Sequence, residues 1–82
     1  MIKILYFSWV REKLGISEEQ FDTKANNINE LIDELRSKDD KYKLAFDNIA
    51  LIKIAADHKL VDLEHPLENV SEVAFFPPMT GG

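Results

Sequence analysis

Cysteine is absent from the 82-residue chain, and glycine is scarce, with three residues in all. The lack of a thiol excludes a disulfide framework, a thiolate nucleophile and a cysteine zinc site. The sequence also has no apolar run approaching the ~18 residues of a membrane span, and its first residues lack the cleavage pattern of a signal peptide. We therefore expect a soluble, cytoplasmic protein with no membrane partner.

Positive charge is also in deficit, since ten lysines and arginines face 15 aspartates and glutamates, for a net charge of -5. This balance repels nucleic acid phosphates and anionic lipid, so we expect no nucleic acid partner and a protein partner with a basic surface. His58 and His65 have no third ligand at a usual spacing, so no metal site is expected. No serine has a histidine partner in a recognisable arrangement, which disfavours a hydrolase.

One segment has a clear helical pattern. Apolar residues recur at the i, i+3, i+4 and i+7 positions of an amphipathic helix, namely Ile28, Leu31, Ile32 and Leu35. Asn27 and Glu30 have the spacing of a capping box, with asparagine in place of serine or threonine. This spacing predicts a helix that starts after Asn27.

Five other segments favour strands. They are residues 2–7, a weak polar edge strand over 19–24, an apolar run over 49–56 interpreted as a central strand, a short strand over 59–62, and a last strand over 72–76. Ser8 is predicted to cap a short helix that ends at Gly15. Asp57-His58 is predicted to form the turn after the apolar run.

Strands around one long helix indicate an α+β domain. The order matches the ubiquitin-like β-grasp, a mixed sheet of about five strands with one main helix packed on one face. In that fold the first and last strands lie side by side in the centre of the sheet. We expect residues 1–76 to form this domain and residues 77–82 to form a flexible C-terminal tail.

The tail reads Pro77-Pro78-Met79-Thr80-Gly81-Gly82. Proline has no N–H, so the strand ladder cannot continue past Phe76, and two prolines favour an extended exit. Six extended residues reach at most about 20 Å. Because glycine has no Cβ, a Gly-Gly end fits a channel in another protein that is too narrow for any other residue. We expect the terminal carboxylate to be accessible for adenylation by ATP. A frayed chain end is the other interpretation of the tail alone.

The chain resembles the small subunits of molybdopterin synthase, the sulfur carriers of molybdenum cofactor synthesis. The matching segments are residues 1–7, 10–12, 60–61, 65–67 and 72–82. The resemblance covers the whole length, and the ending Phe-Phe-Pro-Pro-x-x-Gly-Gly is its most specific part. Asp57 stands where the family has asparagine in a turn, which affects the turn geometry and not the chemistry.

The resemblance implies a mechanism. The Gly82 carboxylate would be adenylated by a ubiquitin-activator-like adenylyltransferase that uses ATP, and a sulfur donor protein would then supply the sulfur of a thiocarboxylate. Residues 77–81 would insert into the large synthase subunit, which holds the catalytic residues and the precursor, cyclic pyranopterin monophosphate (precursor Z). Two carriers and two large subunits would form a heterotetramer that builds the molybdopterin dithiolene. The carrier itself would bind no cofactor, and its lack of cysteine fits sulfur held on an acyl group.

Strand alternation also predicts a docking surface. If Lys3, Lys53 and Glu72 point to solvent, then the same sheet face carries Leu5, Phe7, Leu51 and Phe76. An exposed apolar patch of this kind usually marks a partner site, and the family match adds Leu60. A register slip would reverse the alternation and bury these residues instead.

Two alternatives stay open: a sulfur carrier of another pathway, and a protein modifier or plain binding module. The sulfur carriers of the thiamine pathway share this fold and tail but usually lack the Phe-Phe-Pro-Pro lead. A ubiquitin-like protein modifier would become linked to target lysines, and a plain binding module would tolerate removal of the tail.

Overall fold

A computed structural model describes residues 1–78 of the chain. The predictions made for Met79, Thr80, Gly81 and Gly82 lie outside the described residues. No helix within residues 1–78 is long and apolar enough to cross a bilayer.

Residues 1–78 form five strands and three α-helices. In chain order these are β1 (Ile2–Tyr6), α1 (Ser8–Leu14), β2 (Glu18–Phe21), α2 (Ile28–Arg36), α3 (Asp40–Ala45), β3 (Lys53–Ala56), β4 (Lys59–Val61) and β5 (Glu72–Phe76), with a 3₁₀ turn at Ile49–Leu51 before β3. The strands make one sheet in the order β2-β1-β5-β3-β4. The polar strand β2 therefore lies at an edge, as its composition predicts.

The centre of the sheet is built from the two ends of the domain. β5 pairs with β1 in parallel, with Ile4 beside Val73 and Tyr6 beside Phe75, and it pairs with β3 in antiparallel. The remaining pairs, β1 with β2 and β3 with β4, are antiparallel. This mixed sheet is the predicted β-grasp arrangement, with the first and last strands adjacent.

The helices cover one face of the sheet. All four apolar positions predicted for α2 are buried, and they pack with inward side chains of the strands such as Ile4, Val73 and Phe75. The Phe46 ring meets the Phe75 ring edge-on, with 5.0 Å between centroids. Burial of each large apolar side chain stabilises the fold by about 1.5–3 kcal/mol. The contact between α2, α3 and the two central strands therefore supplies much of the stability of the core.

The start of α2 confirms most of the predicted capping box. The Asn27 Oδ1 atom accepts a hydrogen bond from the Glu30 N–H at 2.9 Å. The Glu30 carboxylate accepts from the N–H of Asn26 at 3.1 Å, one residue before the cap. The first of these bonds satisfies a backbone donor that the first helical turn leaves free, and the second satisfies the N–H of the residue before the N-cap.

The prediction that Ser8 caps α1 is wrong. Phe7 is the N-cap residue and no side chain caps the helix, because Ser8 already lies inside the first turn with a left-handed φ of 51°. The predicted stop at Gly15 is confirmed. Gly15 has φ 78°, and its N–H donates to the Arg11 carbonyl at 2.8 Å.

The strand predicted over residues 49–56 is shorter and less central than expected. Residues 49–51 form the 3₁₀ turn instead, and β3 lies between β5 and β4 while β5 takes the centre. Lys53 pairs with Phe76, the last residue of β5. Extension of β3 toward residue 51 would place it opposite Pro77 and Pro78, and Pro77 has no N–H to donate.

The predicted turn at Asp57-His58 is confirmed. Both residues have positive φ, 48° and 72°, as a two-residue turn of a twisted hairpin requires. The Asp57 carboxylate also accepts hydrogen bonds from the N–H groups of Ser71 and Glu72, at 3.1 and 3.0 Å. Asp57 thus ties the β3–β4 hairpin to the start of β5.

Replacement of Gly15 by alanine should lower the free energy of unfolding by about 1–2 kcal/mol, because a Cβ disfavours left-handed backbone. The space around the site is open, with no atom within 4 Å of an added Cβ, so the effect is one of backbone strain and not of a clash. Urea unfolding followed by circular dichroism measures it. Glu12→Ala, an exposed change within the same helix, is the control, and equal stabilities of the two variants would contradict the interpretation.

Candidate functional site

The sheet has one buried face and one outer face. Along β1 and β5, Ile2, Ile4, Tyr6, Val73 and Phe75 are buried, while the residues between them are partly exposed. The predicted alternation is therefore confirmed for these two strands. The outer face is the side opposite α2.

A row of apolar side chains crosses the outer face. The strand register places Leu5 beside Ala74, Ala74 beside Ala55, and Ala55 beside Leu60. Leu60 is 69% exposed on the edge strand β4. The row runs from β1 across the centre of the sheet to its far edge.

The other predicted interface residues lie along one side of this row, toward the edge of the sheet where β1 and β5 end. The Phe7 N–H donates to the Phe75 carbonyl at 3.1 Å. This bond places Phe7 beside the end of strand β5 and close to Phe76. Phe7 is 44% exposed and Leu51 is 51% exposed, whereas Leu5 and Phe76 are half-buried. We refer to Leu5, Phe7, Leu51, Leu60 and Phe76 as the docking face.

Leu51 reaches solvent for a different reason from the one predicted. It lies on the 3₁₀ turn before β3, so strand alternation does not apply to it. Its exposure agrees with the prediction, and the alternation argument for it is wrong. The role of the docking face as a partner interface stays a prediction.

The tail begins at the middle of the sheet. β5 has neighbours on both sides and ends at Phe76, and the half-buried Pro77 and Pro78 follow it. Phe7 on one side and Lys53 on the other border this exit. The tail therefore starts beside the docking face.

A polar network lies on the helical side, between β1, β2 and α3. The Glu19 carboxylate accepts hydrogen bonds from the Tyr6 hydroxyl, the Tyr42 hydroxyl and the Lys38 ammonium, each at 2.7 Å. Lys38 also lies over the rings of Phe21 and Tyr42, with its Nζ 5.1 and 4.7 Å from the ring centroids. These contacts fasten the edge strand to the helices.

The charges of this network suit a structural role better than a catalytic one. Burial opposes ionisation of Glu19, but hydrogen bonds from Lys38, Tyr42 and Tyr6 outweigh it and lower the pKa of the carboxyl. Burial, together with the hydrogen bond to Glu19, raises the pKa of Tyr6. A carboxylate that already accepts three hydrogen bonds, with a lowered pKa, is a poor general base.

Sequence reasoning missed this network. In the sequence Glu19 contributes only to the net negative charge, whereas in the fold it forms an ion pair with Lys38 of the same chain. The two residues are 19 positions apart, and no local pattern connects them. His58 likewise points to its own chain, with its Nε2 3.6 Å from the Glu72 carboxylate.

No group of three or more metal-binding side chains occurs among residues 1–78. The candidate site is the tail exit with the docking face beside it, and among residues 1–78 its side chains are apolar apart from Lys53. A surface of this type can bind a protein and present a chain end to it.

Solved structures place the domain in the ubiquitin-like β-grasp class. SAMP1 from Haloferax volcanii has a TM-score of 0.74 at 18% identity, over 99% of this chain and 98% of that one. A putative molybdopterin converting factor, subunit 1, from Pyrococcus furiosus has a TM-score of 0.76 at 23% identity, over 95% and 97% of the two chains. Similarity at this identity establishes the fold.

Sequence comparison gives the family. The chain belongs to the ThiS family, which matches residues 4–82. It is 37% identical to the molybdopterin synthase sulfur carrier subunit of Escherichia coli and 34% identical to that of Haemophilus influenzae, in both cases over the full length of both chains. The resemblance to molybdopterin synthase small subunits is thereby confirmed, and it extends through the Gly-Gly ending.

Glu19→Gln should lower the free energy of unfolding by about 1–2 kcal/mol near neutral pH, since it removes a charged acceptor from a half-buried network. The lowered pKa of Glu19 stabilises the fold above the carboxyl's ordinary pKa of 4.5, and this stabilisation is lost as the pH falls through the folded-state pKa. The difference between wild type and variant should therefore shrink in acid.

Urea unfolding at a series of pH values measures this difference. The neighbouring Glu18→Gln is the matched control, because Glu18 is exposed and its ammonium partner Lys3 lies 3.6 Å away. A gap between wild type and Glu19→Gln that stays constant down to pH ~3, well below an ordinary carboxyl pKa, would show that the charge of Glu19 is not the stabilising element.

Proposed function

We propose that the chain is the sulfur carrier subunit of a molybdopterin synthase and that Gly82 carries the sulfur. The observation that carries the proposal is the identity of 37% and 34% to two proteins of that name, over the full length of each. The family match that continues to residue 82 supports it, as does a sheet that delivers the tail from its central strand. The carrier works by presenting its own end to other proteins.

The proposed cycle has three steps. A Gly82 carboxylate oxygen attacks the α-phosphorus of ATP on the activating enzyme, and pyrophosphate leaves. A sulfide-equivalent nucleophile, supplied by a donor protein, attacks the resulting acyl adenylate, and AMP leaves to give a thiocarboxylate. The thiocarboxylate sulfur then bonds to a side-chain carbon of cyclic pyranopterin monophosphate (precursor Z) on the large subunit, and a carbon–oxygen bond at that carbon breaks, its oxygen leaving as water or with the opened phosphate ester. Water then cleaves the acyl–sulfur bond, which restores the Gly82 carboxylate and leaves the sulfur on the pterin.

The domain contributes position and not acid–base chemistry. Pro77 and Pro78 follow the central strand, and prolines keep an emerging chain extended. Glycine at positions 81 and 82 leaves no Cβ to obstruct a narrow channel. The reactive end can then lie up to about 20 Å from the sheet, inside another protein.

The docking face supports the same proposal. Phe7 and Phe76 border the tail exit, and Leu60 lies farther out on the same face, so a protein that covers the docking face also lies next to the emerging tail. We propose that the large subunit binds here, in a heterotetramer of two subunits of each kind. The adenylating enzyme receives the tail first, in the cytoplasm, and the large subunit receives it afterwards. No cofactor of the carrier itself is proposed, and ATP is consumed by the activating enzyme.

Incubation with ATP, the activating enzyme of its own cell and sulfide should raise the intact mass of the chain by the difference between sulfur and oxygen. The shift should vanish on deletion of Gly82 and on addition of a residue after it, since both change the reacting carboxylate. Gly81→Trp should retain the fold and lose sulfur transfer, because a side chain now blocks the channel. Mass spectrometry and a synthase assay measure the two effects.

The outcomes separate the candidate functions. A thiocarboxylate that converts precursor Z with the large subunit supports the molybdenum pathway, and one that serves only thiazole synthesis assigns the chain to the thiamine pathway. Attachment to target lysines in place of a mass shift would identify a protein modifier. Full synthase activity of Gly81→Trp would contradict the insertion of the tail.

Leu60→Ser should weaken binding to the large subunit by about tenfold, the usual effect of removing an important interface side chain. Leu44→Ser is a matched control, since Leu44 is exposed to nearly the same extent, 66% against 69%, but lies on α3 in the helical layer. Calorimetric titration measures both affinities. Equal affinities for the two variants would exclude Leu60 from the interface.

A further inference from the structure

Lys53 occupies an unusual place on the outer face. It is exposed, it pairs across the sheet with Phe76 at the tail exit, and Ala55, two residues on, belongs to the apolar row. A lysine here interrupts the apolar part of the outer face. The position calls for an explanation because the side chain would be covered whenever a protein covers the docking face.

The other charged side chains that the strands place on this face have polar partners within the chain. Lys3 lies 3.6 Å from the Glu18 carboxylate, and the Glu72 carboxylate lies 3.6 Å from the His58 Nε2 atom, an ion pair only when that imidazole is protonated. Among residues 1–78, no carboxylate lies within ion-pair distance of Lys53. The outer face therefore presents one positive charge that its own strands leave without a partner.

Burial of an unpaired ammonium costs several kcal/mol. A protein that covers the docking face must offset this cost with a negative group, since backbone carbonyls alone leave the charge uncompensated. A chain with a net charge of -5 attracts partners with basic surfaces in general. A carboxylate opposite Lys53 would reverse this pattern at one point and so define the orientation of the complex.

We propose that Lys53 determines docking specificity by pairing with a carboxylate on the partner protein, within an apolar surface that covers Leu60 and Phe76. The inference rests on the proposed function, because it takes the synthase large subunit as the occupant of the docking face. It adds the chemistry of that occupant: an apolar patch that contains an acidic residue facing the tail exit.

The test is the affinity of the full chain for the purified large subunit of its own organism. Lys53→Glu should weaken binding at least ~10-fold, since it replaces an attraction by a repulsion inside an interface. Lys59→Glu is the matched control. It makes the same change of charge in the same hairpin, but Lys59 pairs with the buried Ala56 and so belongs to the other face.

A second readout separates an ion pair from a loss of packing. Lys53→Met keeps most of the aliphatic stem but removes the charge, so the affinity for the large subunit should fall. Because salt screens an ion pair, the affinity of this variant should also depend less on salt concentration than that of wild type. Thermal unfolding of each variant confirms that the exposed substitutions leave the fold intact.

Each outcome decides the inference. The inference is supported if Lys53→Glu loses at least ~10-fold in affinity for the large subunit while the affinity of Lys59→Glu stays within about twofold of wild type. Equal affinities for Lys53→Glu and Lys59→Glu overturn it and leave the proposed function standing. A wild-type chain that does not bind the large subunit overturns the proposed function, and this inference with it.

Discussion

The parallel pairing of β1 with β5 is the constraint on which the structure depends. It joins the first strand to the last and places both in the middle of the sheet. Because the strands run in the same direction, the end of β1 and the end of β5 meet at one edge of the domain. Phe7, Phe76 and the beginning of the tail are neighbours for this reason alone.

The two faces of the sheet then have different tasks. The inner face and the helices hold the core, and the Glu19 network holds the edge strand β2 against Lys38 and Tyr42. Within residues 1–78 no helix covers the outer face, which retains exposed apolar side chains. Such a surface carries a risk of aggregation, which a binding partner would remove.

Much of this arrangement could be predicted from the sequence because the evidence for it is local. The periodicity at Ile28, Leu31, Ile32 and Leu35 specifies the buried side of α2, and Gly15 specifies the end of α1. The alternation in β1 and β5 predicts which side chains face outward. In each case the relevant residues are within a few positions of one another, so a short window contains the information.

The errors arose where a distant element decides the local structure. Residues 49–51 are apolar and continue the apolar run of β3, but the prolines that follow β5 leave them no strand to pair with. Ser8 has the right chemistry for a cap, but the sharp entry from β1 places it one residue too far along. Glu19 looks like a surface charge until the fold brings Lys38, 19 residues away, to its carboxylate.

The amino-acid sequence by itself determined the fold class, the main helix, the faces of the central strands and the composition of the Gly-Gly tail, because each depends on residue type and short spacing. Tertiary structure alone decided that Leu5, Ala74, Ala55 and Leu60 form one row, that Lys53 lies beside the tail exit, and that Glu19 is satisfied internally. These facts depend on strand register and on the order of strands in the sheet. Register is set by packing between residues far apart in the chain, and no local pattern records it.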